Sequence, residues 1–519
     1  MSLSTSLRDR LTVRRASRLS VAVLLLAAGC KKQADTTAPT EPAPAPTEQN
    51  APEQAKAPER EYPDPPPPSD PKPVNFPEVK QFRMSNGLKV YVVENHEVPI
   101  VSARLVVKAG TMDDEHVAEF TADMLGEGTK SRPKAKIDEA IEFVGGSLSA
   151  GAGVHATTVS ARVLKKDLKL ALTLMADEVM NPAFPKDSLE KLKKQAKTAL
   201  DSAKANPGTL ASTLFDMVAY PEGHPYGRPF PKPEDIDKVT VEDLKKFHET
   251  FYRSNNAYLI LSGDITQEDA EPLLKRTLGK WKPVDPKDLP PNPLNQFTKY
   301  DLPDHLVVHL VDRPGSAQAE IRVGNLALAR NHPDWIKLEV TNAILGDSAN
   351  GRLFMDIREE RGLTYGIYSF VSRGQAPGTF VISTRTKTKK TADMMTAIFE
   401  HIEKIRNEKP TSEEFETVQR KLTGKFPLEI ETADQIAGKV RTILEYNLPE
   451  DYYRTYRDKV AAVTPEDVQE AARKYIHPVP HIVIVGKAKK IEKQIKKALP
   501  DAEIVKYNTE LERIDAPKG

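Results

Sequence analysis

The sequence predicts an α+β fold of two similar domains, each a mostly antiparallel sheet with helices packed on one face. Three observations point there. Short strands follow one another with hairpin signals between them, and helices come in clusters instead of alternating one for one with strands. Two halves of about 210 residues carry their elements in the same order, the mark of an internal duplication. Between them lies a proline-rich stretch, 283–297, containing Pro283, Pro286, Pro290, Pro291 and Pro293, which reads as a linker. The domains are therefore expected at 76–282 and 298–510.

The 519 residues are 39% hydrophobic and 29% charged, with a formal net charge of +1. That is enough chain for more than one core. The near-zero balance lacks the basic excess of a nucleic-acid binder. The single cysteine, Cys30, excludes an intrachain disulfide and a cysteine zinc site. Arg8, Arg10, Arg14, Arg15 and Arg18 precede a short apolar run, Val21 to Ala28, which leads into Gly29-Cys30. A charged region, an apolar core and small residues at its end read as a secretory signal, 1–29. The run is shorter than the about 20 residues that span a bilayer. With a cysteine directly after the small residues, it resembles a bacterial lipoprotein signal, in which that cysteine is acylated and becomes the mature N-terminus. Leu26 sits one place earlier than the usual leucine. A plain secretory signal with an incidental cysteine and a transmembrane anchor are the alternatives. Residues 30–75, rich in Pro, Ala, Glu, Thr and Lys, read as an extended tether too poor in apolar surface to fold. The implied location is the bacterial cell envelope, lipid-anchored, facing the periplasm or on the outer membrane.

Folding signals begin near Phe82. Phe82 to Val93 reads as strand, Asn86-Gly87 turn, strand, and Val101 to Val107 alternates as a further strand. A helix follows around Glu119. Ile137 to Val144 reads as a helix ending at Gly145-Gly146, and Ser147 to Val163 as two strands. Leu168 to Met180 has helical periodicity and stops at Asn181-Pro182; Ser188 to Lys204 is a long polar helix before Asn206-Pro207. In the second half, Leu306 to Val311 and Ala319 to Val323 read as strands and Trp335 to Leu345 as a helix. Asn350 to Arg361 reads as a helix stopped by Gly362, with Leu363 to Ser369 a strand after it. Thr379 to Thr386 is a strand, Ala392 to Ile405 and Ser412 to Leu422 are helices, and His481 to Val485 closes the sheet.

The helix around Glu119 carries the most informative pattern. Val117, Phe120, Thr121 and Met124 share one face, at i, i+3, i+4, i+7. Glu119, Ala122 and Asp123 share another. Theirs is the spacing of an H-x-x-E-H site, in which two histidines hold zinc and the glutamate is the base. The surrounding residues, Val117-Ala118-Glu119-Phe120-Thr121-Ala122-Asp123-Met124-Leu125-Gly126-Glu127-Gly128-Thr129, resemble the insulinase/pitrilysin family of zinc metallopeptidases. Laid on that pattern, the first histidine becomes Glu119, the glutamate Ala122 and the second histidine Asp123. The family's third ligand, a glutamate, falls on Ala199, both counted forward from Asp123 and backward from Asn206-Pro207. The frame is present and the ligands are not, so the resemblance implies no zinc in this chain.

The resemblance runs over about residues 76–500 and includes His224-Pro225-Tyr226-Gly227 and Asn255 to Ile265. It also includes Arg352 to Tyr365, where an arginine and a tyrosine of the family hydrogen-bond the substrate carbonyl as it becomes tetrahedral. The matching positions are Arg358 and Tyr365. A guanidinium and a phenol are suitable donors for that role; the plainer reading is a helix-end arginine and a core tyrosine on a strand. For Glu119 the plainer reading is a first-turn acid favoured by the helix dipole. A shifted metal site on His116, Glu119 and Asp123 is a weak alternative. His305 and His309 fall on one sheet face as surface residues. No dinucleotide fingerprint, phosphate loop or G-x-S-x-G elbow is present.

The resemblance implies the non-catalytic subunit of a two-chain zinc peptidase. Its partners would be a homologous zinc-bearing chain and peptide substrate, with the membrane reached through a lipid on Cys30. The competing reading is a peptide-binding or scaffold lipoprotein of the same fold with no part in hydrolysis.

Overall fold

The structure, a computed structural model, describes residues 75–515; the expected signal, Cys30 and nearly all of the expected tether lie outside them. The strands are β1 (Lys80–Arg83), β2 (Lys89–Glu94), β3 (Ile100–Val107), β4 (Ser147–Ala152), β5 (Thr157–Leu164), β6 (Ala257–Gly263), β7 (Val307–Asp312), β8 (Gln318–Leu326), β9 (Ile367–Val371), β10 (Thr379–Lys387), β11 (His481–Gly486) and β12 (Glu503–Tyr507). The α-helices of the first half are α1 (Glu115–Leu125), α2 (Lys134–Phe143), α3 (Leu168–Met180), α4 (Lys186–Ala205), α5 (Pro207–Ala219), α6 (Pro233–Lys238), α7 (Val241–Phe251) and α8 (Gln267–Thr277). Those of the second are α9 (Trp335–Leu345), α10 (Thr391–Asn407), α11 (Ser412–Lys425), α12 (Ala433–Glu445), α13 (Tyr452–Ala461), α14 (Pro465–Tyr475) and α15 (Ala488–Ala498).

The strands form two six-stranded sheets, ordered β1-β2-β6-β3-β5-β4 and β12-β7-β11-β8-β10-β9. Five strands of each follow the same plan, with a parallel pair at β2–β6 and β7–β11 and antiparallel neighbours from there to the β4 and β9 edges. The outermost strand comes from opposite chain ends: β1 lies antiparallel on β2, β12 parallel on β7. Both sheets are therefore mostly antiparallel, as the hairpin signals predict.

The helices depart from a strictly one-sided covering. Each half's own helices pack on one sheet face, where Leu105, Val159 and Leu259 meet Leu172 and Met175, and where Ile321, Ile382 and Ile484 meet Met395 and Ile398. The other face takes a helix from the opposite half. α5 lies on β8 and β11, with Leu210, Leu214 and Phe215 against Val311, Val483 and Val485. α12 lies on β3 and β6, with Ile436 and Val440 in one cluster with Val106 and Ile260. At about 1.5–3 kcal/mol for each fully buried large apolar side chain, this exchange ties the halves together far more strongly than a hinge-like linker would. The duplication reaches single hydrogen bonds. Arg104 of β3 donates to the carbonyl of Asp434, the second residue of α12, at 3.0 Å, and Arg322 of β8 donates to that of Gly208, the second residue of α5, at 3.2 Å. The segment 283–297 is pinned by Asn255, which exchanges two hydrogen bonds with the Val284 backbone, and by buried Leu294.

The two histidines expected on a surface separate. His305 precedes β7 and is exposed, paired with Asp304 and Glu503. His309 lies within β7, bonded to the Tyr507 hydroxyl at 3.0 Å and 6.4 Å from the ring of His481. Burial pushes each of these two imidazoles from 6.5 down to about 4, with a neighbouring histidine adding to it. The folded pKa lies below the unfolded one, so the unfolded chain takes up protons first as pH falls. Stability contributed by neutral His309 and His481 is therefore present above about pH 6.5 and lost towards pH 4. Thermal melts should show Tm falling across that window, and a His309→Gln, His481→Gln double variant should flatten the fall; an unchanged slope would refute the assignment.

Candidate functional site

α1 is capped by Asp114, whose carboxylate accepts the Val117 amide at 3.1 Å, and its first-turn acid is Glu115. Glu119 thus stands in the second turn, outside the strongest reach of the helix dipole. Two sides of α1 are buried. Phe120 and Met124 pack with Leu189 and Leu200 of α4, Ile236 and Leu244, and Ala118 and Leu125 join the core of the first sheet. Ala122 is buried with them instead of opening beside Glu119 and Asp123. Both carboxylates reach solvent and make no hydrogen bond or ion pair among the described residues. Surrounding protein raises the Glu119 carboxyl, with Asp123 adding like-charge repulsion; Asp123 is raised by the same burial and by Glu127. On α4, Ala199 is exposed, one residue before buried Leu200.

This donor set does not fit zinc. Two carboxylates and two methyl groups stand where zinc needs three protein ligands, commonly with histidine or thiolate among them, and Ala122 offers no base. His116 does not complete a shifted site: among the described residues no three His, Cys, Asp or Glu side chains are grouped to hold a metal.

Arg358 and Tyr365 stand elsewhere, beside the edge of the second sheet. The helix expected at Asn350–Arg361 is wound as a π-helix over Phe354–Glu360, which carries one more residue per turn and often marks functional sites. Asp356 anchors it, accepting from Arg361 at 2.9 Å and pairing with His401 at 2.7 Å. Gly362, at φ +57°, ends it as the sequence suggests. The strand expected from Leu363 begins only at Ile367, because Thr364 turns the chain: its hydroxyl donates to the Arg385 carbonyl at 2.7 Å and accepts the Gly366 amide at 3.1 Å. Tyr365 sits at that turn, 89% exposed, which removes the reading of a core tyrosine. Arg358 lies over the Phe354 ring at 5.3 Å and is ion-paired with Glu359. No hydrogen bond or ion pair among the described residues joins either residue to Glu119 or Asp123.

A cluster that sequence reasoning missed joins the halves. His155, in the β4–β5 hairpin, meets Glu445 Oε1 at 3.0 Å through Nδ1 and the Tyr226 hydroxyl through Nε2. The Tyr226 oxygen accepts the amides of Gln375 at 3.1 Å and Ala376 at 3.4 Å, and Arg441 holds Glu445 at 2.9 Å. With its oxygen accepting from two N–H groups, the Tyr226 hydroxyl donates its hydrogen bond to Nε2, which places the imidazole N–H on Nδ1, facing Glu445. Burial pushes the Tyr226 phenol up to about 12, keeping its own proton in place. The only sequence signal was His224-Pro225-Tyr226-Gly227. His224 accepts the Tyr226 amide at 3.1 Å and stacks on Tyr220 at 4.7 Å. Gly227 is required by close approach, since a Cβ there would meet the Asp216 carbonyl at 2.8 Å.

Residues 89–233 match the family model described as Insulinase (Peptidase family M16), and residues 238–422 match that described as Peptidase M16 inactive domain. The chain belongs to the insulinase (M16) family. Among similar curated proteins, an uncharacterized zinc protease of Bacillus subtilis, YmxG, is 22% identical over 69% of this chain and 85% of its own length. One of Streptomyces coelicolor is 22% identical over 79% and 90%. The crystal structure of a peptidase M16 inactive domain from Pseudomonas fluorescens superposes with a TM-score of 0.70 at 28% identity, covering 79% of this chain and 98% of that one. A protease from Helicobacter pylori shares the fold with a TM-score of 0.70 at 19% identity, covering 79% and 99%.

Proposed function

We propose that this chain is the non-catalytic subunit of an insulinase-type zinc peptidase complex, binding peptide and lending Arg358 and Tyr365 to a homologous zinc-bearing partner. The observation that carries this reading is a complete M16 frame whose four metal and base positions hold Glu119, Ala122, Asp123 and Ala199. Peptide binding is supported by β4. It is the edge of the first sheet, packs beside α1, and carries only Ser, Ala, Gly and one Leu, so an added strand meets little steric resistance. The β9 edge is taken at its middle by contrast: the Ser369 amide donates to the Gly346 carbonyl at 2.8 Å and its carbonyl accepts from Asn342 at 3.2 Å.

Zinc, in this reading, belongs to the partner. The native chain purified from membranes is expected to carry lipid on Cys30 and no stoichiometric zinc, and to cleave no peptide alone. Intact-mass and metal analysis check this, and one tightly held zinc per chain would refute it. A pull-down searched for an H-x-x-E-H chain tests the partner. The engagement of Arg358 by Glu359 and Phe354 favours the second reading, a scaffold without a part in hydrolysis; turnover of the complex separates the two.

A further inference from the structure

The second sheet keeps part of one face open. α5 covers β11 and β8, leaving the outer surface of β10 and β9. In the register there, Val381 stands beside Phe370, and Ser383 stands between Tyr368 and Arg322. Phe354, Tyr368 and Phe370 make a ladder of rings at 5.6 and 6.4 Å, and Phe370 is 50% exposed. Alternate side chains of an extended peptide repeat at about 6.8 Å, close to that spacing.

The ladder has cations around it. Arg373 lies past Phe370 in the β9–β10 hairpin, and Arg385 and Lys387 lie past Ser383 on β10. The side chains of Arg385 and Lys387 make no hydrogen bond or ion pair among the described residues, whereas the charge of Arg373 also acts on the buried Glu339 carboxyl. Glu320, opposite Arg385 across the strands, is held instead by Arg322 at 3.1 Å.

The duplication supplies an internal control. Arg104, Ser160 and Ser149 of the first sheet occupy the register of Arg322, Ser383 and Tyr368, and Gly151 that of Phe370. The frame folds there with serine and glycine, so it does not require the rings. With the middle of the β9 edge taken by Gly346 and Asn342 at Ser369, a ligand is directed onto the face rather than into the ladder of backbone hydrogen bonds.

We infer that this wall recognises extended peptides with apolar residues at alternate positions flanked by acidic ones. The inference rests on the peptide-binding reading and names its substrate class. Its test is fluorescence anisotropy on the full chain with two labelled peptides of equal length. One carries Phe-Ser-Phe between paired Glu residues, and the other has Lys for every Glu. The acidic peptide is expected to bind about tenfold more tightly at low salt, and the gap should narrow as salt screens it. Tyr368→Ser with Phe370→Gly, which copies the first sheet, should weaken both peptides, and Arg385→Glu with Lys387→Glu should reverse the preference. Circular dichroism confirms that the variants fold. Equal binding of the two peptides overturns the inference while leaving peptide binding itself intact. Binding of neither overturns both, and an acidic preference that survives both variants overturns the wall as its source.

Discussion

Arg358→Ala in this chain, assayed in the complex with an unaltered zinc-bearing partner, is expected to lower turnover about 100- to 1000-fold, roughly 3–4 kcal/mol. Tyr365→Phe should act in the same direction. Both residues reach solvent at one end of the second sheet, Tyr365 almost completely. Groups that stabilise charge only as it develops affect turnover more than substrate affinity, so KM should move little. Arg358 must leave Glu359 and Phe354 to act, which gives a second readout: Glu359→Gln should free the guanidinium and leave turnover equal or higher. Unchanged turnover in both Arg358→Ala and Tyr365→Phe, with the complex assembled, would make the chain a scaffold. Arg358→Lys distinguishes a planar donor from a mere charge, because an ammonium cannot reproduce the guanidinium fork.

Much of the fold was legible because local signals and packing agree. Leu168–Met180 and Trp335–Leu345 keep the bounds that their periodicity predicts, the alternation over Val101–Val107 marks a true strand, and the strand expected at Thr379–Thr386 is β10. The exchanged helices were not legible. Periodicity says that α12 buries one face, and nothing in it says which sheet receives that face. Asn206-Pro207 ends α4, as the sequence suggests, but Asn206 also caps α5 and Pro207 is its first residue, a position where the missing N–H costs nothing; that second role is not legible in a stop signal. The candidate site was legible in outline only. The i, i+3, i+4 rule places Ala122 beside Glu119 and Asp123, but helices and sheet press on α1 from two sides and leave only the two acids open. The π-winding before Tyr365 and the pairing of His155 with Glu445, 290 residues apart, leave no local trace.

That last pairing adds a hydrogen-bond relay to the junction that the exchanged helices build, and Tyr226→Phe is expected to cost about 2–4 kcal/mol. The substitution keeps the ring and its packing, so no cavity term enters. It strips the donor from His155 Nε2 and the acceptor from the amides of Gln375 and Ala376, and each buried group left unpaired costs about 1–3 kcal/mol. The estimate falls below the full sum because the Ala376 bond is long at 3.4 Å and the neighbouring cavity of about 370 Å³, which Tyr226 lines, has room for water to replace some of what is lost. Tyr446→Phe is the control: its ring also packs edge-on against His155, with centroids at 5.8 Å, but its hydroxyl takes no part in the relay, so its cost should stay below about 1 kcal/mol. Denaturant unfolding measures both, and hydrogen exchange at Gln375 and Ala376 localises the effect, because those amides should lose protection in Tyr226→Phe alone. Equal stability of the two variants would show that the phenol packs there without carrying the hydrogen-bond relay.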